Sequence, residues 1–431
     1  MAQSVLGSLT FGYQLLWNQL RQLAGVQLFV EADTGDGPVA VDAHHLLDAV
    51  RDAWSEQSPT LLLSVSSPAL LADLLTHAPT DAPWIEIDER LLAQDPTLAQ
   101  RVHQAHQRGL SLVWRGDSGE RPSAALRTCF VKSMITLSAD EALAGLRVSL
   151  HKHNNHDNSA SAMSASARHA LAALKSPVEK DQIYEAVASK ALIEHCLDEQ
   201  SAWGIAGWPM EDVLHNYRQQ LIQPGHRAIV RLVEAVDGDE SMEAIENILS
   251  EDPVLVYRFL RYANSAALGL RTSIESIRHG LMVLGYSLLR KWLLEQLPHA
   301  TSDLNLQPIR TAITVRARLM EHLLNAGDGD DLRREVYLCG LLSQIDMLLG
   351  EPLNTALQRI LVPERIISAI LSNAGPYSPY LEIAMALESS NTQRTHRLCD
   401  AHKVELVDVN RALLRTLSSA RPHPARGLLL V

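Results

Sequence analysis

LSEDPVLVYRFLRYANSAALGLRTSIESIRHGLMVLGYSLLRKWLL, residues 249–294, sets the character of the C-terminal half of this 431-residue chain. It reads as helices broken at Ser250-Glu251-Asp252-Pro253. Pro253 suits a first helical turn, where its missing N–H costs nothing, and Ser250 or Asp252 can cap. Val256, Phe259, Leu260 and Ala263 then recur at helical spacing and form an apolar stripe. GLMVLGYSLLRKWLLEQL (280–297) reads as another strongly apolar helix, and GLLSQIDMLLG (340–350) as one stopped by Gly350. From about 213 to 420 the pattern stays helical, with no clear strand.

The first half reads differently. VQLFVEA (26–32), TLLLSVS (60–66), WIEID (84–88), LSLVW (110–114), CFVKSMI (129–135), LRVSL (146–150) and DQIYEAV (181–187) are short apolar runs suited to buried strands. Helical segments lie between several of them. In AHHLLDAVRDAW (43–54), for example, Leu46, Leu47, Val50 and Trp54 share a face. Strand–helix alternation over about 200 residues predicts a parallel sheet, with an α/β barrel of TIM type as the leading form. The expected domains are 1–212 and 213–420, with a frayed tail at 421–431.

HKHNNHDNSASAMSASAR (151–168) interrupts this alternation. The imidazoles of His151, His153 and His156 suit a transition-metal site, but no cysteine and only Asp157 accompany them. The simpler expectation is an inserted loop over about 151–168.

Composition narrows the function classes. The chain is 46% hydrophobic and 20% charged, enough for sizeable cores, and its net charge is −12. Such an acidic chain has no global attraction to nucleic acid or anionic lipid. A local basic patch around Arg258, Arg261, Arg271, Arg290 and Lys291 fits solvated helix faces better than a nucleic-acid site. Cys129, Cys196, Cys339 and Cys399 are dispersed, with no CxxC pair, as expected of reduced cytosolic thiols. No run reaches about 18 apolar residues, and no basic start precedes an apolar one, so membrane insertion is not expected and a cytoplasmic location is.

The quoted C-terminal stretch resembles the HDOD domain, an output domain related to metal-dependent HD phosphohydrolases. The matching elements, in order, are EDP (251–253), ANSAALG (263–269), SIESIRHGLMVLG (273–285) and GLLSQIDMLLGEP (340–352); AGPYSPYLEIAMALE (374–388) follows. The resemblance marks Asp252, Pro253, Asn264, Gly269 and Gly285 as motif residues. Asn264 could tie a loop backbone and Gly269 could allow a positive φ, although packing by the small Ala and Ser residues explains the stretch equally. At GLLHDIG-like sequences the His–Asp pair bridges divalent metals. Here that pair is Ser343–Gln344, which supplies neither imidazole nor carboxylate, while Gly340, Leu341, Leu342 and Ile345 keep the frame.

In two-domain proteins of this kind the partner is an EAL domain, a barrel that hydrolyses cyclic di-GMP with divalent metals. The N-terminal half resembles a degenerate copy. GYQLLWN (12–18) has Gln14 for a metal-binding Glu, and SVSSPALL (64–71) has Ser64 for a metal-binding Asn. WIEIDE (84–89) keeps Glu86 as a ligand and Glu89 as the loop acid. GLSLVWRGDSG (109–119) has Arg115 and Gly116 for two Asp. VKS (131–133) keeps Lys132, the position implied to orient the attacking water. IYEAVAS (183–189) keeps Glu185 but has Ala188, and AGW (206–208) has Ala206 for a Gln. Two-metal hydrolysis needs several carboxylates converging at one end of the barrel. An arginine at a ligand position repels a divalent ion by on the order of several kcal/mol at intermediate dielectric. Glu86 and Glu185 equally suit an internal ion pair with Arg115 or Lys132.

The resemblance therefore implies no catalysis, no metal and no cofactor, and contacts with other signalling proteins. Two alternatives stand beside it: a receptor that binds cyclic di-GMP without cleaving it, through Arg115 and Lys132, and an active phosphodiesterase. Neither partner identity nor oligomeric state follows from these residues.

Overall fold

Eight strands close into one barrel in sequence order: β1 (Leu9–Trp17), β2 (Leu23–Ala32), β3 (Thr60–Val65), β4 (Trp84–Asp88), β5 (Leu112–Arg115), β6 (Lys132–Thr136), β7 (Ile183–Glu185) and β8 (Gly204–Ala206). Neighbours from β2 to β8 are parallel, and β1 runs antiparallel to both β2 and β8. The computed structural model describes residues 5–32, 42–156, 175–217, 221–268, 273–324 and 329–420. Strands covered on both faces need apolar residues at nearly every position, which is why TLLLSV reads as one run.

The barrel interior follows from a period of two. Leu16, Leu62, Val113, Met134, Ile183 and Ala206 form an apolar layer inside it, packed against Trp84 and Trp203. In β3 to β7, two residues further along each strand, stand Ser64, Glu86, Arg115, Thr136 and Glu185. The polar set thus lies on the C-terminal side of the apolar layer. Gln14 and Gln27 are paired across β1 and β2 and join it from the antiparallel side.

Two expectations fail in this half. LRVSL (146–150) is not a strand but part of the helix Ala139–His156. A capping box starts that helix: Ser138 N–H donates to Glu141 Oε2 at 2.9 Å, and Glu141 N–H to Ser138 Oγ at 3.3 Å. Five alternating residues carry too little signal to compete with a helix nucleated seven residues upstream. The same helix takes in residues 151–156, so the expected loop does not begin at His151; residues 157–168 lie outside the described residues. In the other direction, β1 and β8 were not among the expected strands.

The chain divides into two units between Asp212 and Val213. The segment Glu388–His396 belongs with the barrel rather than with the helical unit, against the expectation that all of 213–420 forms one domain. There Thr392 Oγ1 donates to the Glu31 carboxylate of β2.

The second unit is helical, as expected. The helix Pro253–Ala263 is capped by Asp252, whose Oδ1 accepts from Leu255 N–H at 3.0 Å. Residues 280–297, expected as one helix, lie within Ile277–Gln296 and are interrupted at Gly285 (φ 66°, ψ 171°), a conformation that excludes other side chains. Gly340 explains the surviving GLL frame: a Cβ there would stand 2.7 Å from Ala317 Cα and 2.9 Å from Met320 Sδ. The helices Asp330–Leu342 and Gln307–Leu323 touch backbone to backbone at that point. All four cysteines are buried and free. Among the described residues no helix is long and apolar enough to cross a membrane.

Candidate functional site

The polar layer of the barrel is a connected cluster. Glu86 on β4, 6% exposed, accepts from Gln27 Nε2 and from Ser64 Oγ, both at 2.7 Å to Oε2. Gln27 Nε2 also reaches Ser64 Oγ at 2.9 Å. Arg115 on β5 spans the lumen. Its Nη1 donates to Glu86 Oε1 at 3.3 Å, while Nε and Nη2 donate to the two oxygens of Glu185 on β7 at 3.2 and 2.9 Å. Thr136 Oγ1 on β6 closes the ring with Glu185 Oε1 at 2.8 Å. One guanidinium therefore sits between two carboxylates, each of which keeps a second hydrogen-bond donor.

The electrostatics follow from two carboxylates sharing one cation. Burial pushes the Glu86 carboxyl up, and the charge of Glu185 adds to this; Arg115 and the Ser64 hydroxyl oppose it without overcoming it. The Arg115 guanidinium is held more firmly protonated by both glutamates, although its own burial works the other way.

The structure brings Glu86, Arg115 and Glu185 together but not Lys132. Lys132 is two residues before Met134, so it lies on the N-terminal side of the apolar layer, and its Nζ pairs with Asp181 Oδ2 at 2.5 Å. Its expected place beside the other remnant residues is corrected by that register. Ala206 belongs to the apolar layer itself. Gly116 is more than a lost ligand position. A Cβ there would meet the Trp114 ring at 2.3 Å, and that indole donates to Glu89 Oε2 at 2.6 Å. Above the ring a small cleft of about 290 Å³ opens between Asp88, Arg90, Asp117 and Ser118. Asp88 clasps Arg90 through Nε at 3.0 Å and Nη2 at 2.6 Å.

Gln27 and Thr136 were missed in the sequence. Gln27 is legible in hindsight as the one polar residue in the run VQLFV. Among the described residues no group of three or more His, Cys, Asp or Glu side chains is placed to hold a metal ion. Glu86 and Glu185 are two carboxylates, and a guanidinium fills the space between them. The donor set does not fit a two-metal centre.

In the helical unit the motif residues serve the packing. Asp252 Oδ2 accepts from Gly225 N–H at 2.7 Å and stands 3.4 Å from Arg310 Nε, with both side chains almost fully buried. Pro253 occupies the first turn behind that cap. Asn264 ties its loop as the sequence suggested: Nδ2 donates to Leu260 O and Ile274 O at 3.0 and 2.8 Å, and Oδ1 accepts from Ile274 N–H at 2.8 Å. Gly269 lies outside the described residues. Ser343 ends the helix Asp330–Leu342, donating to Gly340 O at 2.7 Å and accepting from the buried Arg316 at 3.3 Å. Gln344 follows as the N-cap residue of the next short helix, Ile345–Leu349, and its side chain forms no cap.

Comparison with known proteins agrees with this division. Residues 224–361 match the HDOD domain, so the chain carries that domain behind a closed barrel. A cyclic di-GMP phosphodiesterase of Vibrio cholerae, CdgJ, is 22% identical over 198 residues, 46% of each chain. YuxH of Bacillus subtilis, a protein without an assigned activity, is 25% identical over 158 residues, 35% of this chain and 37% of that one. The matches thus span less than half the length of these relatives. Among solved structures, the response regulator MmoQ of Methylococcus capsulatus is 17% identical over 44% of this chain and 97% of its own, with a TM-score of 0.35. The manganese and cyclic di-GMP complex of Klebsiella pneumoniae BlrP1 is 12% identical over 47% and 55%, with a TM-score of 0.29.

Proposed function

We propose that this chain, an EAL-like barrel joined to an HDOD domain, is a non-catalytic protein of cyclic di-GMP-linked signalling that acts through contacts with other proteins. The observation that carries the reading is the Arg115 guanidinium held between Glu86 and Glu185. Two-metal hydrolysis requires divalent ions to polarise the phosphodiester and to generate a hydroxide nucleophile. The cation in this lumen is covalently fixed and coordinates no water for attack. The place in cyclic di-GMP signalling rests on the HDOD match and on the named activity of CdgJ.

A receptor function at the barrel mouth has less support. Its two cations were to be Arg115 and Lys132. Arg115 is already engaged by two carboxylates, and Lys132 lies beyond the apolar layer. The deciding experiment is product formation from cyclic di-GMP by the full chain with Mg²⁺ or Mn²⁺. The expected result is none above a no-protein control, and metal-dependent turnover overturns the reading.

A further inference from the structure

The helical unit contains a larger cavity, of about 440 Å³, within the size range of small-molecule sites. Its walls are the helices Met242–Ser250, Gln307–Leu323 and Asp330–Leu342, with the first turns of Ile277–Gln296 and Glu364–Ser372. It is distinct from the Ser343–Gln344 position, which is not part of its lining.

Charge in this cavity is sorted by depth. The carboxylates of Glu243, Glu275, Asp330 and Asp331 are exposed at the rim. On the wall Arg365 and Glu335 pair with each other. Deeper, four partly buried arginines (Arg278, Arg318, Arg333 and Arg334) face two glutamates, Glu246 and Glu321, so the interior is positive. Glu246 is already bound by Arg278 at 3.2 Å and by Arg334 at 3.6 Å.

Arg318 and Glu321 differ from these. They lie one turn apart on the same helix and line the same cavity. Among the described residues neither makes a side-chain hydrogen bond or an ion pair within 4 Å. A planar fork of donors and a carboxyl thus stand side by side, with further positive charge around them. Groups drawn out of bulk water without partners are costly, and a ligand that supplies those partners recovers the difference. That ligand needs an acceptor pair for the fork, N–H donors for the carboxylate, and negative charge for the remaining guanidinium groups.

Guanine nucleotides combine all three. Guanine O6 and N7 accept a bidentate arginine, the adjacent N1–H and N2–H edge suits a carboxylate, and the phosphate supplies the charge. We propose that this cavity of the helical unit binds a guanine nucleotide, with Arg318 on the O6/N7 edge, Glu321 on the N1/N2 edge, and Arg333 and Arg334 toward the phosphate. The proposal rests on the assignment to cyclic di-GMP-linked signalling and moves the nucleotide from the barrel to the helices.

Calorimetric titration of the full chain with cyclic di-GMP, GMP and AMP at low salt tests it. Saturable binding of GMP and cyclic di-GMP is expected, with AMP at least about tenfold weaker. Arg318→Ala and Glu321→Gln should each weaken the guanine ligands about tenfold or more, while Arg411→Ala, a surface change in the same unit, leaves them unaltered. Arg318→Lys keeps the charge but loses the fork, so it should narrow the gap between GMP and AMP. The proposal is overturned by a cooperatively unfolding chain that binds no guanine nucleotide, by binding that survives both cavity substitutions, or by AMP binding as tightly as GMP. Hydrolysis is scored in a separate assay, so the two conclusions fail independently.

Discussion

Arg115 donates through Nε and Nη2 to both carboxylate oxygens of Glu185, at 3.2 and 2.9 Å, in a side-on fork across the barrel lumen. Its third nitrogen, Nη1, reaches Glu86 at 3.3 Å. These contacts join β4, β5 and β7, three strands that make few other polar contacts inside the barrel. The position that bears a metal-binding Asp in EAL domains has become a structural cation.

Removing that cation should destabilise the barrel strongly. Arg115→Met leaves Glu86 buried beside Glu185 with nothing to balance it, and breaking a buried pair from one side costs about 3–5 kcal/mol. Glu86→Gln in the same background removes the stranded charge and should recover part of the loss. Urea unfolding of both variants at neutral pH is the measurement. A single substitution costing under about 1 kcal/mol would mean that the ion pair is solvated and structurally idle.

The pH dependence of Glu86 has a definite sign. Its folded carboxyl titrates above the unfolded value of about 4.5 because burial favours the neutral form. The native state therefore holds the proton longer, and this contribution is fully present below that value. It is lost as pH rises from there through the raised folded value. Glu86→Gln should flatten the corresponding fall in stability. A fall of unchanged slope in the variant assigns it to the other raised carboxyls, Glu246, Glu321 and Asp346.

His322 works in the opposite direction. Burial, together with Arg415, Arg318 and Arg333, pulls its pKa down to about 4, and its Nδ1 pairs with Thr416 Oγ1 at 2.8 Å. Because Thr416 Oγ1 donates to Ala412 O, it accepts from His322, which places the proton on Nδ1. The stability from a neutral His322 is complete above about pH 6.5 and is lost as pH falls toward 4, up to about 3 kcal/mol. His322→Gln should remove this acid sensitivity from the unfolding profile of the helical unit. Identical profiles for wild type and variant between pH 7 and 4 would contradict it.

How much of this the sequence discloses depends on the range of the signal. The helical unit is legible because its cues are local: an Asp cap before Pro253, an Asn at 264, a glycine at 340. Five of the barrel strands announce themselves as apolar runs. β8 is three residues long and carries no such run. The ion pair of Arg115 with Glu86 and Glu185 was one of two pairings the sequence left open. The other, with Lys132, is settled only by register, because two residues along β6 separate one end of the lumen from the other. Gly116 shows the same limit. Its contact with Trp114 is a matter of ring orientation, which no spacing encodes.

That glycine bears on the last prediction, the attempt to restore hydrolysis. Reverting Arg115→Asp alone should give no turnover, because Gln14 and Ser64 still leave the metal shell incomplete and groups that act as a unit return almost nothing singly. Adding Gly116→Asp should make matters worse. Any Cβ there falls 2.3 Å from the Trp114 ring, which is fully buried and anchored to Glu89. The ring must shift, and overpacking of this kind costs about 1–3 kcal/mol. The double revertant should therefore be inactive toward cyclic di-GMP with Mg²⁺ or Mn²⁺ and less stable than Arg115→Asp. The fourfold variant that also carries Gln14→Glu and Ser64→Asn is the smallest set expected to restore the ligands. Even there, Trp114→Phe is predicted to help, since it shortens the ring that crowds residue 116. Measurable turnover by the double revertant, or a gain in its unfolding midpoint, would show that residue 116 is free to take a side chain and that the lost ligands lie elsewhere.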